Sequence, residues 1–333
     1  MPVLTIGITS YKRINELKRC IESIKTKYVE DIEILVSEDQ SPLSAEIKEM
    51  VEDLATKIEY ELRFETNEVN LGYDMNLGAI IKKSKGQYVM LMSDDDAVRE
   101  GCLDEVIEFI KENDSYGVLY SPFIHDDSGR KDRNRGDENF AIYPSEENAA
   151  NYLYDSILFS GLIFKRENVA KYDSSRFKNI NYFQVYMFLR SIYEFGGYYF
   201  ANPSVLCIED GENAYGISES SGGNAILANR KNVKSILEFN KTLIKTIKMF
   251  DEDVGANVIK SFEKQYSLHS YSGLSIARAS GRKFFKEYWK ILKNLDIKIY
   301  PIARCYYIFL WIFGKKLSDK LLRPFSKRLR REK

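Results

Sequence analysis

Three consecutive aspartates, Asp94, Asp95 and Asp96, have the residue types and spacing best suited to chemistry. They follow the mainly apolar run Gln87–Met92 after Ser93, with no intervening turn residue. Their mutual repulsion would be costly unless a cation is present. Alternate residues of an extended segment point the same way, which predicts that Asp94 and Asp96 converge while Asp95 faces elsewhere. Such oxygens suit Mg²⁺ or Mn²⁺, which keep positions open for a diphosphate, whereas the alternative is a solvated acidic turn.

The elements that must position these aspartates are predicted by hydrophobic periodicity in the first hundred residues, where short β-rich runs alternate with amphipathic stretches. Repeated β-α units of this length predict an α/β fold, a Rossmann-like and mainly parallel sheet with helices on both faces. The predicted strands are Val3–Ser10, Asp31–Ser37, Tyr60–Phe64 and Gln87–Met92, and predicted helices carry Ile14–Ile24, Ile47–Leu54 and Asp74–Ser84.

Polar residues follow each of these four strands. In parallel sheets ligands bind beyond the carboxyl ends of the strands, so these residues are expected to share one rim. They are Thr9 and Tyr11 after the first strand, Glu38 and Asp39 after the second, Asn70 and Gly72 after the third, and the aspartates after the fourth.

The whole chain divides into three predicted regions. The α/β part extends over residues 1–210, in two halves at about 1–100 and about 101–210. A Gly/Ser/Asn-rich stretch predicts a flexible linker at 211–228, and residues 229–333 form a helical C-terminal extension. The second half of the α/β part has predicted strands at Gly117–Ile124 and Ile157–Phe164, a mobile polar loop at Asp126–Asn139 and a helix at Phe183–Phe195.

Four short motifs along the first hundred residues, taken together, resemble glycosyltransferase family 2. They occur in the family's order at plausible spacing, and the resemblance covers about residues 3–210. The motifs are Ile8-Thr9-Ser10-Tyr11-Lys12-Arg13, Val36-Ser37-Glu38-Asp39-Gln40-Ser41, Asn70-Leu71-Gly72-Tyr73-Asp74-Met75-Asn76 and Ser93-Asp94-Asp95-Asp96. The resemblance implies a GT-A fold and an inverting, metal-dependent transferase of bacterial surface polysaccharide synthesis. It also implies that residues at about 1–100 form the nucleotide-sugar half, or donor half, and residues at about 101–210 the acceptor half.

The resemblance also assigns roles to residues of the donor site. Tyr11 would stack on the nucleotide base, Asp39 would accept a hydrogen bond from it, and Asp94 or Asp95 would contact the ribose. The remaining nucleotide-sugar residues would be Thr9, Arg13, Asn70 and Gly72, with Arg13 equally interpretable as a surface charge. Asp96, together with Asp94, would bind Mn²⁺ or Mg²⁺, which stabilises the leaving diphosphate.

The general base that an inverting enzyme needs is not evident. In many family members it belongs to an acidic pair about a dozen residues before a glycine, and counting back from Gly196 gives Gln184 and Val185. Gln184 cannot take a proton, although it could position an acceptor by hydrogen bonding. The substitutes are Asp173, Asp155 and His125, each more often a turn, surface or loop residue than a base, so no base is assigned.

Overall charge and composition exclude some classes of protein. Lys plus Arg and Asp plus Glu both number 49, which disfavours a nucleic-acid-coating protein. Four scattered cysteines give no metal or disulfide pattern, which favours reduced thiols and a cytoplasmic location. No signal peptide is expected at the start, and the longest apolar run, Cys305–Phe313, is too short to span a membrane.

The C-terminal end combines an aromatic patch at Tyr306–Phe313 with a basic tail at Lys315–Lys333. This combination is typical of a helix in a membrane interface, which predicts peripheral binding to the inner leaflet, on the cytoplasmic face. The alternative is packing against the catalytic domain or a second subunit, as in a homo-oligomer formed through the C-terminal helices.

The function predicted from these features is sugar transfer from a nucleotide-diphosphate sugar to a saccharide or lipid-linked saccharide. Two rival functions remain. A sugar nucleotidyltransferase should carry a glycine-rich phosphate loop after the first strand, and Thr9–Asn15 contains no glycine. A non-catalytic saccharide-binding or scaffold protein with the same fold would explain the missing acidic pair.

Overall fold

The computed structural model describes residues 1–208 and 233–331. The chain forms two compact units, Met1–Gly211 and Glu212–Lys333. The linker predicted at 211–228 lies outside the described residues, as do the side chains of residues 323 and 325–333 in the predicted basic tail.

The first unit alternates strands and helices. Its strands are β1 Leu4–Ser10, β2 Ile32–Glu38, β3 Glu61–Thr66, β4 Tyr88–Ser93, β5 Ala97–Val98, β6 Val118–Tyr120, β7 Phe123–His125, β8 Lys131–Asp132, β9 Phe140–Ile142, β10 Leu162–Lys165, β11 Gly197–Tyr199 and β12 Val205–Cys207. Its α-helices are α1 Ile14–Ser23, α2 Ser44–Ala55, α3 Tyr73–Lys83, α4 Cys102–Glu112, α5 Glu146–Tyr152, α6 Arg166–Val169 and α7 Phe183–Phe195, and 3₁₀ helices cover Val29–Asp31, Leu153–Ser156 and Ser174–Phe177.

Residues 1–208 build one large sheet and one small sheet. The large sheet has the order β3-β2-β1-β4-β10-β6-β11-β9, and its first four strands are parallel. Strand β10 runs antiparallel to both β4 and β6, which ends the parallel half. The small sheet has the order β5-β12-β7-β8. The predicted α/β fold with a mainly parallel sheet is confirmed. The carboxyl ends of the four parallel strands, β1 to β4, lie at the same edge of this sheet.

Helices cover both faces of the large sheet. Ile6 and Ile8 of β1 lie fully buried in one core with Leu17 of α1, and each such side chain contributes about 1.5–3 kcal/mol of hydrophobic free energy. Gly7 faces the other side, where a Cβ would lie 2.3 Å from the Ile80 Cγ2 of α3. The glycine therefore lets α3 approach the strand closely.

Two strands predicted for the acceptor half are corrected by the structure, and a third segment contains contacts that the sequence did not predict. The strand predicted at Gly117–Ile124 is two strands in different sheets, because Pro122 lacks the N–H that a continuous ladder needs. The strand predicted at Ile157–Phe164 is confined to Leu162–Lys165, since Gly161 breaks it with a left-handed φ of 80°. The stretch Asp126–Asn139 contains the short strand β8 and anchored arginines.

The C-terminal unit is helical, as predicted. Its helices are α8 Val233–Val254, α9 Val258–Ala279, α10 Arg282–Lys293 and α11 Pro301–Arg331, the last interrupted at Gly314, which has a φ of 71°. The core between α9, α10 and α11 contains Tyr271, Phe285 and Tyr306. Within residues 1–208 and 233–331, no helix combines the length and apolarity needed to span a bilayer.

Candidate functional site: a polar rim at the strand ends

The carboxyl ends of the four parallel strands form the rim where the predicted donor residues lie. Backbone conformations here are unusual, because Lys12 after β1 and Gln40 after β2 both have left-handed φ values, 64° and 50°. Such conformations cost free energy in non-glycine residues and concentrate at functional sites. The backbone thus turns sharply just where the sequence predicts ligand contacts.

Asp94 and Asp95 share the guanidinium group of Arg13. Arg13 Nη1 lies 2.9 Å from Asp94 Oδ1 and 2.6 Å from Asp95 Oδ2, and the Tyr11 N–H donates to Asp94 Oδ2 at 3.2 Å. Burial nevertheless raises the pKa of Asp94 to about 7, although Arg13 opposes this shift. Asp94 and Asp95 therefore share a partner, and Arg13 is not merely a surface charge. The convergence of Asp94 with Asp96 stays a prediction.

Asp96 makes different contacts. Its side chain is 3% exposed, and Oδ2 accepts a hydrogen bond from Ser160 Oγ at 2.5 Å while Oδ1 accepts a longer one from the Ile208 N–H at 3.4 Å. Within residues 1–208 and 233–331, no lysine or arginine forms an ion pair with Asp96. Burial, and secondarily the charge of Asp95, raises its pKa to about 7. Among the residues that the structure describes, an ionised Asp96 is thus a buried charge with no ion-pair partner.

These residues fit a divalent cation that completes its coordination with substrate oxygens. In the described part of the chain, no three Asp, Glu, His or Cys side chains converge to form a closed metal site. Mg²⁺ is commonly held by one or two carboxylates together with waters and substrate phosphates. Asp96 provides one such carboxylate, at the end of β4.

The other side of the rim is organised by Asp39. Its Oδ1 accepts from Asn67 Nδ2 at 2.9 Å and from the Leu71 N–H at 2.8 Å, and its Oδ2 accepts from the Gly72 N–H at 2.8 Å. Asp39 therefore holds the loop after β3 against the end of β2. The predicted residue Asn70 is exposed on this loop, whereas Asn67, which the sequence did not single out, is buried.

A buried hydrogen-bond network of amide side chains holds the loop after β3 in place. Asn76 Oδ1 accepts from Ser37 Oγ at 2.7 Å and from Asn67 Nδ2 at 3.0 Å, and Asn76 Nδ2 donates to the Ser37 carbonyl at 3.1 Å. Satisfied networks of this kind rigidify the groups they join. Thr9 and Tyr11, at the end of β1, remain half-buried at the same edge.

The segment Ile157–Ser160, here called the connector, joins the acidic triplet to the acceptor half. Ser160 Oγ accepts from the Ser93 N–H at 3.2 Å, which leaves its O–H free to donate to Asp96. Arg133 donates to the carbonyls of Leu158 and of Ser160, the latter at 3.2 Å. Burial lowers the pKa of Arg133 to about 10, so it remains charged at neutral pH. Sequence reasoning missed both Ser160 and Arg133.

The three candidate bases all make structural contacts. Asp155 is buried, pairs with Arg135 at 2.8 Å and accepts from the Tyr120 hydroxyl at 3.1 Å. The other two are engaged as well: His125 Nε2 lies 2.9 Å from Asp132 Oδ2, and exposed Asp173 caps the 3₁₀ helix at Ser174.

The pKa values of the two candidate carboxyl groups, Asp155 and Asp173, are shifted in opposite directions. Burial raises the pKa of Asp155, and hydrogen bonds from Ser175 lower that of Asp173. A base must keep lone pairs available within reach of a substrate proton. None of these candidates is singled out by its contacts, so the base remains unassigned.

The start of α7 is held by another residue that the sequence did not single out. Asp74 of α3 accepts from the N–H groups of Ile180, Asn181 and Phe183 at 3.2, 2.7 and 2.9 Å. Burial raises the pKa of Asp74 although these hydrogen bonds oppose the shift. The predicted positions Gln184 and Val185 follow directly in the first turn of α7, and both are buried.

The fold and this rim define an α/β protein of the GT-A type. A model of glycosyl transferase family 2 matches residues 5–172, half of the chain, and the chain belongs to this family. This membership confirms the resemblance carried by the four motifs.

Two curated relatives match parts of the chain. It is 26% identical over 129 residues to the GalNAc(5)-diNAcBac-PP-undecaprenol beta-1,3-glucosyltransferase of Campylobacter jejuni, covering 39% of this chain and 40% of the relative. It is 22% identical over 178 residues to glycosyltransferase GlyG of Streptococcus pneumoniae, covering 53% of this chain and 54% of the relative. The matches thus span about half or less of each relative.

Solved structures show the fold over nearly the whole chain. Residues 1–349 of S. aureus TarS, in complex with UDP-GlcNAc, align with a TM-score of 0.55 and 13% identity, covering 94% of this chain and 92% of that one. The mannosyltransferase PcManGT of Pyrobaculum calidifontis, in complex with GDP-Man and Mn²⁺, aligns with a TM-score of 0.51 and 12% identity, covering 94% and 87%.

Proposed function

We propose that this chain transfers a sugar from a nucleoside diphosphate sugar to a hydroxyl of a saccharide or lipid-linked saccharide acceptor, in cell-surface polysaccharide synthesis. The observation that carries the proposal is buried Asp96, which has no ion-pair partner among the described residues, at the strand-end rim of a family 2 fold. The Campylobacter relative is named for an undecaprenol-linked acceptor, which supports the lipid-linked class.

The donor half, at about residues 1–100, would bind the nucleotide. Tyr11 would stack on the base and Asp39 would contact it, since Asp39 Oδ2 can accept a hydrogen bond besides that from the Gly72 N–H. The ribose would meet Asp94 or Asp95, whose charge Arg13 compensates. The rest of the nucleotide-sugar site would be formed by Thr9, Asn70 and Gly72.

Asp96 would hold Mn²⁺ or Mg²⁺, and Ser160 would orient its carboxylate through the 2.5 Å hydrogen bond. When bound, the cation would stabilise negative charge on the departing nucleoside diphosphate. The PcManGT complex with Mn²⁺ supports a divalent metal in a protein of this fold.

The acceptor half, at about residues 101–210, would bind the sugar hydroxyl. Family membership supports an inverting reaction, in which the acceptor attacks the face opposite the leaving group. No residue is assigned as the base. The anomeric configuration of the first product, measured by NMR before mutarotation or on a stable glycoside, decides between inversion and retention.

The C-terminal unit is proposed to lie on the cytoplasmic membrane leaflet through α11. Before Gly314, Ile308 and Ile312 are 47% and 62% exposed, and after it Leu317 and Leu321 are 43% and 53% exposed. Exposed Lys316 and Lys320 directly precede the two leucines of the second pair in sequence. Apolar residues beside cations suit an anionic lipid surface, and pairing with a second copy of the chain is the competing outcome.

Release of nucleoside diphosphate from a panel of UDP-, GDP-, TDP- and CDP-sugars tests the activity. Wild-type protein with Mn²⁺ should release one nucleoside diphosphate class, while Asp96→Asn should lose at least 100-fold in rate, a typical loss for charge stabilisation. Asp127→Asn is the matched control, because Asp127 is an exposed aspartate in a turn. Nucleotide binding without turnover would favour the saccharide-binding alternative, and pyrophosphate exchange would favour a nucleotidyltransferase.

A further inference from the structure

We propose that Arg133 is a positioning residue for the cation site, which holds the connector so that the Ser160 hydroxyl stays directed at Asp96. This inference rests on the proposed function, since it concerns the carboxylate that would hold the cation. Arg133 acts through Ser160 in this role and needs no contact with the cation or the substrate. It belongs to Asp126–Asn139, the stretch predicted to be a mobile loop.

The guanidinium group of Arg133 binds the connector at two points. Nη1 donates to the Ser160 carbonyl at 3.2 Å, and Nη2 donates to the Leu158 carbonyl. The N–H groups of a planar guanidinium form a rigid fork, so these two hydrogen bonds, here called the clamp, fix the two carbonyls relative to each other. The same guanidinium lies over the Phe123 ring, 5.2 Å from its centroid. The clamp is therefore supported from the side opposite the hydrogen-bonding edge of the fork as well as along it.

Ser160 transmits this position to the acidic triplet. Its side chain is fully buried, and its Oγ accepts from the Ser93 N–H at 3.2 Å and donates to Asp96 Oδ2 at 2.5 Å. Its carbonyl is held by Arg133, so backbone and hydroxyl are both fixed. Partners that hydrogen-bond to a metal-binding carboxylate orient it, and their loss weakens metal binding. A shift of the Ser160 backbone would therefore reach the Asp96 carboxylate directly.

The backbone at Arg133 is held in an unfavourable conformation. Its φ of 61° lies in the left-handed region, which costs free energy in a residue with a Cβ. Such conformations persist only where surrounding contacts enforce them, and they concentrate at functional sites. The pairing of Asp132 with Phe123 fixes the chain immediately before Arg133. The clamp therefore starts from a defined point of the small sheet.

The rest of the connector is held without Arg133. The Ile157 carbonyl accepts from Gln184 Nε2 at 3.0 Å, and the Phe159 ring packs edge-on against Tyr73, with centroids 5.4 Å apart. These contacts remain when the clamp is removed. Loss of the clamp should therefore loosen the serine end of the connector without unfolding the protein.

The charge of Arg133 and its clamp act in opposite directions on a bound cation. The guanidinium is charged at neutral pH and near enough to Asp96 for the two charges to interact. A fixed positive charge repels Mn²⁺, so removal of the charge alone would strengthen Mn²⁺ binding. Removal of the clamp would weaken it. The sign of the change in Mn²⁺ affinity therefore separates the two effects.

Mn²⁺ titration followed by thermal unfolding tests the proposal in the full chain. The protein is held with whichever of UDP, GDP, TDP and CDP stabilises it most, and the Mn²⁺ concentration that gives half of the metal-dependent rise in Tm is measured. Arg133→Met should raise this concentration about three- to tenfold, below the loss of roughly 10- to 100-fold typical of a direct partner of a metal ligand. Arg133→Lys should lie between Arg133→Met and wild type, because an ammonium lacks the fork but keeps the charge and a donor.

Arg130→Met is the matched control, since Arg130 is an exposed arginine of the same stretch that pairs with Asp132. This variant should need the same Mn²⁺ concentration as wild type. Nucleotide binding without Mn²⁺ should change by less than about twofold in all variants, because the donor rim keeps its contacts. The melting temperature in EDTA shows that each variant is folded.

A double-mutant cycle shows whether Arg133 acts through Ser160. Ser160→Ala should raise the Mn²⁺ requirement about tenfold or more, and adding Arg133→Met should raise it no further. A double variant that shows the product of the two single losses would overturn the proposal, as would unchanged or stronger Mn²⁺ binding in Arg133→Met. A wild-type protein whose Tm does not respond to Mn²⁺ would overturn the proposed cation site together with this inference. A normal wild-type response would confine a failure to Arg133.

Discussion

At the scale of single residues, the acidic triplet contains two electrostatic environments. Asp94 and Asp95 are compensated by Arg13, whereas Asp96 is buried without an ion pair among the described residues. A charge kept in this condition destabilises the unliganded fold, and a cation would relieve it. Proteins commonly give up stability at the site where they bind ligands.

This account predicts a pH-dependent effect of Asp96→Asn in metal-free protein. Burial raises the pKa of Asp96 from 3.8 to about 7, so ionisation in the folded state costs stability as the pH rises. The loss begins near the unfolded pKa of about 4 and is complete above 7. Asn keeps the acceptor for Ser160 without the charge. The variant should therefore melt several degrees above wild type at pH 8, at about 2–4 °C per kcal/mol.

The difference should shrink as the pH is lowered through 7 towards 4, as followed by circular dichroism in EDTA. The control Asp127→Asn should match wild type throughout. A difference in melting temperature that does not vary with pH would show that the charge of Asp96 is not its cause.

A second prediction at this scale concerns the two asparagines near the end of β3. Asn67→Ala should lower the free energy of unfolding by about 1–3 kcal/mol, because it removes donors from buried Asp39 and Asn76. Asn70→Ala should change it by less than about 0.5 kcal/mol, since Asn70 is exposed. Urea denaturation of the pair measures both values. Equal destabilisation would mean that the loop is not held through Asn67.

At the scale of elements, glycines at helix ends determine how closely neighbouring elements approach. Gly196 ends α7 with a φ of 75°, and a Cβ there would lie 2.3 Å from the Ile142 carbonyl oxygen of β9. Gly101 precedes α4 with a φ of 80°, and nothing lies within 4 Å of its Cβ position. The two positions therefore share a backbone conformation and differ in available space.

We predict that Gly101→Ala costs about 1–2 kcal/mol, the penalty for a left-handed alanine. Gly196→Ala should cost about 1–3 kcal/mol more, because a backbone carbonyl must move. Denaturant titration of the two variants gives the comparison. A similar loss of unfolding free energy in both variants would show that the backbone between α7 and β9 can shift at little cost.

The local sequence pattern was enough to predict the strands and helices of the donor half, because strand alternation and helical periodicity depend only on residues within each element. The pattern could not predict contacts between residues far apart in the sequence. Asp74, for example, binds partners 106 to 109 residues further along the chain. Arg133 likewise reaches the connector from a stretch whose polar composition predicted only a mobile loop. The break at Pro122 could have been predicted, since the proline itself carries the signal.

At the scale of the whole molecule, the chain divides into an α/β unit and a helical unit. The helical unit exposes a row of large apolar side chains on α11, although it has a core of its own. Exposed apolar patches of this kind mark surfaces that bind membranes or partners.

Flotation with vesicles that contain phosphatidylglycerol tests the lipid assignment. Wild-type protein should float, and the double variant Ile308→Asp with Ile312→Asp should stay in the dense fraction, because both exposed side chains become charged. Val69→Asp, at a position 60% exposed in the α/β unit, is the matched control and should float. Equal flotation of all three proteins would reject α11 as the contact. A change from dimer to monomer in the double variant, without an effect on flotation, would favour the second-subunit alternative.

The measurement that tests the central claim most directly is thermal stabilisation by UDP, GDP, TDP and CDP, each with and without Mn²⁺. A ligand at about 100 times its Kd adds about 2.7 kcal/mol of stability, which is readily seen as a shift in Tm. We predict that at least one nucleotide stabilises wild-type protein more strongly with Mn²⁺ than without it, and that Asp96→Asn loses the metal-dependent part. No shift with any nucleotide, or an identical response of Asp96→Asn with metal, would contradict the assignment of this rim as a nucleotide-sugar donor site.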